Sequence, residues 1–270
     1  MKAAYAHVTH IERRVSGAYS AGHCPVYEAS ARNPEGGLEG IYFKVVEGRG
    51  VLNELLVDEV ARFLGVRVAR TYACACPRSL LEKQNTPFLV KRDVWCRGIA
   101  SVATPHARYN GNGIGVHLEK DLLNWPGLPR AAAFDELVLN DDRNYQNILR
   151  VAESDFVLID HEQALGGTET QVDQDPFLCP ATPGSNQLAG VVFGSQHNFT
   201  IKRAIAESYA LADEIKKFVL DEPEKFDQVA GTEKGTASFL IELIQKRGES
   251  LPELLDRHKA ANDLFALSSA

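Results

Sequence analysis

Long apolar runs are missing from this sequence. No stretch approaches the roughly eighteen consecutive apolar residues that a membrane-spanning helix needs, and the first residues lack the continuous apolar core of a secretory signal. A soluble, cytoplasmic protein with no membrane partner is the resulting expectation. Cysteine is scarce and unpaired in pattern: the five residues Cys24, Cys74, Cys76, Cys96 and Cys179 show neither zinc-ribbon nor disulfide-framework spacing, and are read as reduced thiols. Cys74 and Cys76 share one face of a strand, which permits a metal but equally suits an ordinary half-buried strand. An excess of positive charge is also absent. With 29 Lys plus Arg against 36 Asp plus Glu, the formal charge is −7, so nucleic acid is not expected as a bulk partner, although a local basic groove is compatible with the total. There is no internal repeat, no low-complexity tract and no helix-turn-helix pattern. What is present is a hydrophobic content of 44% over 270 residues, ample for a buried core in one two-lobed unit or two small domains.

The most informative stretch is residues 134–165. Apolar Ala132, Ala133, Leu137 and Val138 lie near one helical face, whereas Ile148-Leu149 and 156–159 are short apolar runs, predicting a helix, a turn and two strands. Polar side chains occupy the breaks. Asp142 and Asn147 bracket the first turn and Asp160 closes the second strand, so three oxygen-bearing side chains can converge at one end of a hairpin. Hard oxygen ligands in small number suit Mg2+, and a further carboxylate suits the orientation of an attacking hydroxyl, which is the donor set of phosphoryl transfer. On this reading Asn147 and Asp160 hold metal and Asp142 addresses the hydroxyl. The plainer reading is a turn cluster in which Asn140, Asp141, Asp142 and Asn144 bond their own backbone. The carboxylate placed directly after Phe-Val-Leu-Ile tips the balance, because a charge closing an apolar strand is costly unless exposed or paired.

At these residues the chain resembles the HipA-like kinases, a bacterial branch of the protein-kinase-like fold. Asp142-Arg143-Asn144 with Asn147, followed by Leu158-Ile159-Asp160-His161, is similar to that family's catalytic loop and metal-binding Asp. Protein kinases in general carry His-Arg-Asp and Asp-Phe-Gly where this chain has Asp141-Asp142-Arg143 and Asp160-His161-Glu162. The resemblance covers about residues 10–165. It implies an α+β, bilobed fold with a small antiparallel N-lobe sheet plus one helix over 1–95 and a mainly helical C-lobe over 96–270. It further implies an ATP- and Mg2+-dependent kinase acting on a protein hydroxyl, with translation factors as associated substrates, and leaves room for an antitoxin-like or regulatory partner. A small-molecule or lipid kinase of the same fold, or a catalytically silent nucleotide-binding module, are the alternatives.

Upstream, strands are expected over 8–15 and 25–31, joined by a small-residue loop that contains Gly17, Ser20 and Gly22 and could admit phosphates to backbone N–H groups; a plain hairpin connection is the alternative. The loop precedes a strand over 41–46 in which Lys44 interrupts the apolar run. Lys44 is either on a solvated strand face or the ammonium that anchors nucleotide phosphates, and the second is preferred. A helix over 51–64, apolar at Leu52, Leu56, Val60 and Phe63, ends at Gly65 and carries Glu54 off its stripe, either as a solvated first-turn acid favoured by the helix dipole or facing the cleft to pair with Lys44. Asn53-Glu54 with Leu64-Gly65 resembles the family's equivalent of the kinase C helix, which implies that Glu54 orients Lys44. Strands over 66–76 and 86–94 would complete a five-stranded sheet. The inter-lobe linker is then expected near 91–100, a loop over 101–115, and helices over 118–125 and 129–139. Residues 166–184 lie where an activation segment would, with a plain surface loop as the equal alternative, and helical patterns recur over 203–220, 237–246 and 251–259. Ser16, Ser20, Thr168 and Thr170 are the hydroxyls placed to be self-phosphorylated if the acceptor is protein.

Overall fold

The structure, a computed structural model, describes residues 5–15, 25–84, 94–104, 108–109, 115–167, 183–195 and 197–268. Gly17, Ser20 and Gly22, with Ser16, Thr168 and Thr170, lie outside them, as does the strand expected over 86–94 save for Val94. The described chain mixes strands and helices, as expected. Five strands, β1 (Ala6–Arg14), β2 (Val26–Arg32), β3 (Leu38–Lys44), β4 (Thr71–Pro77) and β5 (Trp95–Val102), form a closed barrel in the order β1-β2-β3-β5-β4. Period-two alternation fixes what faces inward. Tyr27, Ala29, Ala31, Ile41, Phe43, Tyr72, Cys74, Cys76 and Ala100 share one buried cluster, while Ala73 and Ile99 belong to a second cluster on the outer face. Lys44, next to inward Phe43, therefore leaves the barrel on that outer face.

Two expectations are corrected here. The sheet is not wholly antiparallel: β1 and β4 pair in parallel at Ala6↔Cys74 and His7↔Ala75, and this pairing closes the barrel. The stretch expected as the inter-lobe linker and the start of a loop is β5, which pairs with β3 from Ile41↔Val102 to Lys44↔Ile99 and with β4 from Thr71↔Ser101 to Pro77↔Trp95. Cys74 and Cys76 are fully buried and burial pushes both thiols up to about 12, which suits packing rather than metal binding.

Helix α1 (Arg49–Phe63) follows β3 and packs against β4 and β5, where it is buried on most of its circumference; Phe63, expected on the apolar stripe, is half exposed instead. After the short α2 (Arg78–Glu82) and β5 come the two-residue β6 (Arg108–Tyr109), then α3 (Gly115–Leu123) and α4 (Leu128–Leu137). A 3-10 turn (Tyr145–Asn147) leads into the hairpin of β7 (Ile148–Ala152) and β8 (Asp155–Leu158), which with β6 makes a three-stranded sheet. The remainder is helical: α5 (Gln187–Gly194), α6 (Asn198–Ile215), α7 (Pro223–Ala230) and α8 (Thr236–Ser268). The patterns expected as two separate helices over 237–246 and 251–259 are one helix, α8, with Pro252 inside it. Among the described residues no helix is long and apolar enough to cross a membrane.

Candidate functional site

Lys44, Glu54, Asn147 and Asp160 line one cleft, of about 660 Å³ with its open mouth included. Each arrives from a different element: the end of β3, the second turn of α1, the end of the 3-10 turn, and the residue pair after β8. The rest of the lining is mostly apolar, with Val26, Ala69, Ile99, Val102, Leu149 and Ile159, so the cleft is an apolar slot with a charged end. Asp142 is exposed and is tied to this end through its backbone, whose carbonyl accepts a 3.0 Å hydrogen bond from Asn147 Nδ2. With its amide nitrogen so used, Asn147 keeps Oδ1 as an acceptor for something else. Burial and the nearby Asp160 charge raise the Asp142 carboxyl above its usual range.

The pairing of Lys44 differs from the expected one. Its ammonium lies 2.7 Å from Glu162 Oε1 and 3.4 Å from Asp160 Oδ1. Glu54 is 4% exposed and instead accepts the backbone N–H of His161 at 2.8 Å, with its other oxygen 3.7 Å from His161 Nδ1. Burial and Asp160 raise the Glu54 carboxyl well above the ordinary range. Burial alone would lower the Lys44 pKa, but Asp160 and Glu162 hold it above the ordinary lysine value, so the side chain is a fixed cation.

Arg143 ties the loop together. It is 1% exposed, and its Nε and Nη2 grip both oxygens of Asp135 at 2.8 and 3.0 Å, a bidentate pair. Its Nη1 donates to the carbonyls of Asn147 and Ile159, both at 2.8 Å, which clamps the 3-10 turn to the residue before Asp160. Its Nη2 also lies 2.8 Å from His161 Nε2. A guanidinium only donates, so Nε2 is the acceptor and the ring proton sits on Nδ1, facing Glu54. Burial and Arg143 push His161 down to about 3, which keeps the ring neutral.

The turn after β8 is strained and strapped. Asp160 has φ 59°, Leu165 φ 58° and nearby Leu139 φ 48°, left-handed values that only a well-determined surrounding sustains. Asn53 supplies it from α1, donating to the carbonyls of Glu162 at 2.8 Å and Ala164 at 2.7 Å, while Arg49 Nη2 donates to Leu165 O at 2.8 Å. Glu162, Arg143, His161, Asn53 and Arg49 escaped the sequence reading of the site. Arg143, His161 and Asn53 stood inside the quoted motifs without a role of their own, Glu162 stood two residues after Asp160, and Arg49 carried no signal.

No family model matches the sequence, and no curated protein matches it. Among solved structures the chain is similar to the crystal structure of a Helicobacter pylori proinflammatory kinase CtkA, at 11% identity and a TM-score of 0.48, over 94% of this chain and 98% of that one.

Proposed function

We propose that this chain is a phosphotransferase that uses Mg2+ and ATP, resembling the HipA-like serine/threonine protein kinases, with a bilobed arrangement in which the barrel and α1 face the helical remainder across the cleft. We take the first lobe to run through β5, which pairs along its length within the barrel. The observation that carries the reading is the convergence of Lys44, Asn147 and Asp160 at the charged end of an otherwise apolar slot. The apolar length suits a nucleobase and the charged end suits phosphates. The donor set fits the metal: the Asp160 carboxylate and Asn147 Oδ1, left over when Asn147 Nδ2 bonds the Asp142 carbonyl, are two hard oxygens at the charged end of the cleft. Mg2+ in such enzymes takes one or two protein oxygens and completes its shell with phosphates and water. Asp160 and Asn147 Oδ1 would hold it, and the ion would supply neutralisation of phosphate charge.

The chain's own residues account for the remainder. Lys44 meets phosphate oxygens as a fixed cation. Asp142, exposed at the rim, accepts the proton of the acceptor hydroxyl as its oxygen bonds to the γ-phosphorus and the bond to the ADP oxygen breaks. Arg143 holds the turn carrying Asn147 against the strand end carrying Asp160, which keeps both oxygens at one place. Thermal melts with and without saturating Mg-ATP test the reading. At a ligand concentration about 100 times Kd the fold should gain about 2.7 kcal/mol, and isothermal calorimetry should show matching heat. No shift and no heat in nucleotide-free protein removes the proposal. Incubation with labelled ATP and candidate protein, lipid and aminoglycoside acceptors then assigns the substrate class.

A further inference from the structure

Among the described residues Lys44 is the one cation that lines the cleft, and four carboxylates, Glu54, Asp142, Asp160 and Glu162, act on it or stand close to it. Its position is set by which of them holds it. Glu54 is committed to the His161 N–H, and Asp160 offers only contacts of 3.4 and 3.5 Å, longer than a strong charge-assisted bond. Glu162 makes the short one, 2.7 Å, and its side chain is 17% exposed. Its own place is secured from α1, because Asn53 Nδ2 grips its backbone carbonyl at 2.8 Å. Its second oxygen, Oε2, is buried without a hydrogen-bond partner among the described residues, so among these Lys44 is the interaction that satisfies this carboxylate.

We infer that Glu162 is the positioning residue for Lys44: it draws the ammonium away from Asp160, leaving that carboxylate open to the metal, and presents the remaining ammonium protons to the phosphates. The inference rests on the proposed phosphotransferase reading. Without the Glu162 charge, Lys44 would settle on Asp160, and an ammonium paired to a metal ligand competes directly with the metal. Removing Glu162 therefore weakens Mg-nucleotide binding even though it removes a negative charge from a site that takes an anion. Bulk electrostatics alone predicts the opposite sign, which makes the sign diagnostic.

A double-mutant cycle with Glu162→Gln and Lys44→Met, read by calorimetric titration with Mg-ATP, tests it. Glu162→Gln in the otherwise natural chain should weaken binding about tenfold, and the same change in the Lys44→Met background should alter it less than about twofold, because its effect runs through Lys44. The apparent Mg2+ concentration for half-maximal nucleotide binding should rise in Glu162→Gln and not in the pair. Tighter binding in Glu162→Gln, or equal losses in both backgrounds, overturns the inference. If Glu162→Gln does not fold, Glu162→Asp, which retracts the carboxylate by one methylene, enters the same cycle. Wild-type protein that binds no Mg-ATP refutes the underlying reading instead, so the two failures are distinct.

Discussion

At the scale of single residues, the proposed reading gives separable work to Asp160 in the cleft and Asp142 at its rim. Asp160 lies inside the slot against Lys44, whereas Asp142 is exposed and touches the slot through its backbone carbonyl. Asp142→Asn should keep Mg-ATP affinity within about twofold and lower turnover by a factor of about 10² to 10⁴, the range for removal of a general base. Asp160→Asn should lose Mg-ATP affinity as well; equal affinity losses in calorimetry would mean that the base and the metal ligand have been interchanged. A third aspartate bears on stability alone. Burial pushes Asp58 up to about 7, against the opposing pull of Arg62 at 3.3 Å. The folded protein thus holds this proton more tightly than the unfolded chain, where Asp titrates near about 4. Its contribution is therefore most favourable below about pH 4 and is lost as pH rises towards 7. Asp58→Asn should melt higher than the natural chain at pH 8, by a margin that shrinks to nothing near pH 4. A margin independent of pH would show that packing, not ionisation, is responsible.

At the scale of elements, β5 shows what holds Lys44 in place from behind. A Cβ at Gly98 would lie 2.1 Å from the Lys44 carbonyl oxygen and 2.7 Å from the Phe43 ring, so β3 and β5 approach too closely there for any other residue. Gly98→Ala must push β3 outward, and about 1–3 kcal/mol of stability should go with it, as in overpacked cores. Urea denaturation should record that loss together with weaker Mg-ATP binding; an unchanged midpoint would mean that the strands separate freely. The same crowding helps explain why β5 was illegible: Gly98 is small because β3 lies against it, and with Ala100 and Ser101 close by the segment reads as loop. Helix α8 misled for the converse reason, since Gly248 and Pro252 look like a break, yet Gly248 is small where Ile215 packs against it, a Cβ there lying 2.4 Å from Cγ2 of that residue. The hairpin was legible because its runs at Ile148-Leu149 and 156–159 are strongly apolar and its polar residues fall at the turns. The partner of Lys44 was not: Glu54 was expected, and only the fold brings Glu162 to 2.7 Å from the ammonium.

At the scale of the molecule, the loop bearing Asp142 is fastened to the far end of the chain. Arg247, in α8 and fully buried, donates to the carbonyl of Glu136 at 2.7 Å and to its Oε1 at 2.9 Å, at the end of α4 from which the loop departs. His258, further along α8, lies 2.8 Å from Glu136 Oε2, and the Gly184 N–H donates to Oε1 at 3.0 Å. Burial alone would raise the Glu136 carboxyl, but His258, the Gly184 N–H and Arg247 together hold it below its ordinary value. Its contribution to stability is accordingly present above the unfolded value, near about 4.3, and is lost as pH falls through the folded one. Arg247→Met leaves a buried carboxylate short of its charge partner and should cost about 3–5 kcal/mol in urea denaturation at pH 7. Adding Glu136→Gln removes the stranded charge while keeping an acceptor for Gly184, so the double variant should be more stable than Arg247→Met alone, and the difference should narrow in acid where Glu136 takes up its proton. A double variant that is no better at pH 7 would show that Arg247 works by capping the α4 carbonyls and filling space, with the Glu136 charge of no account.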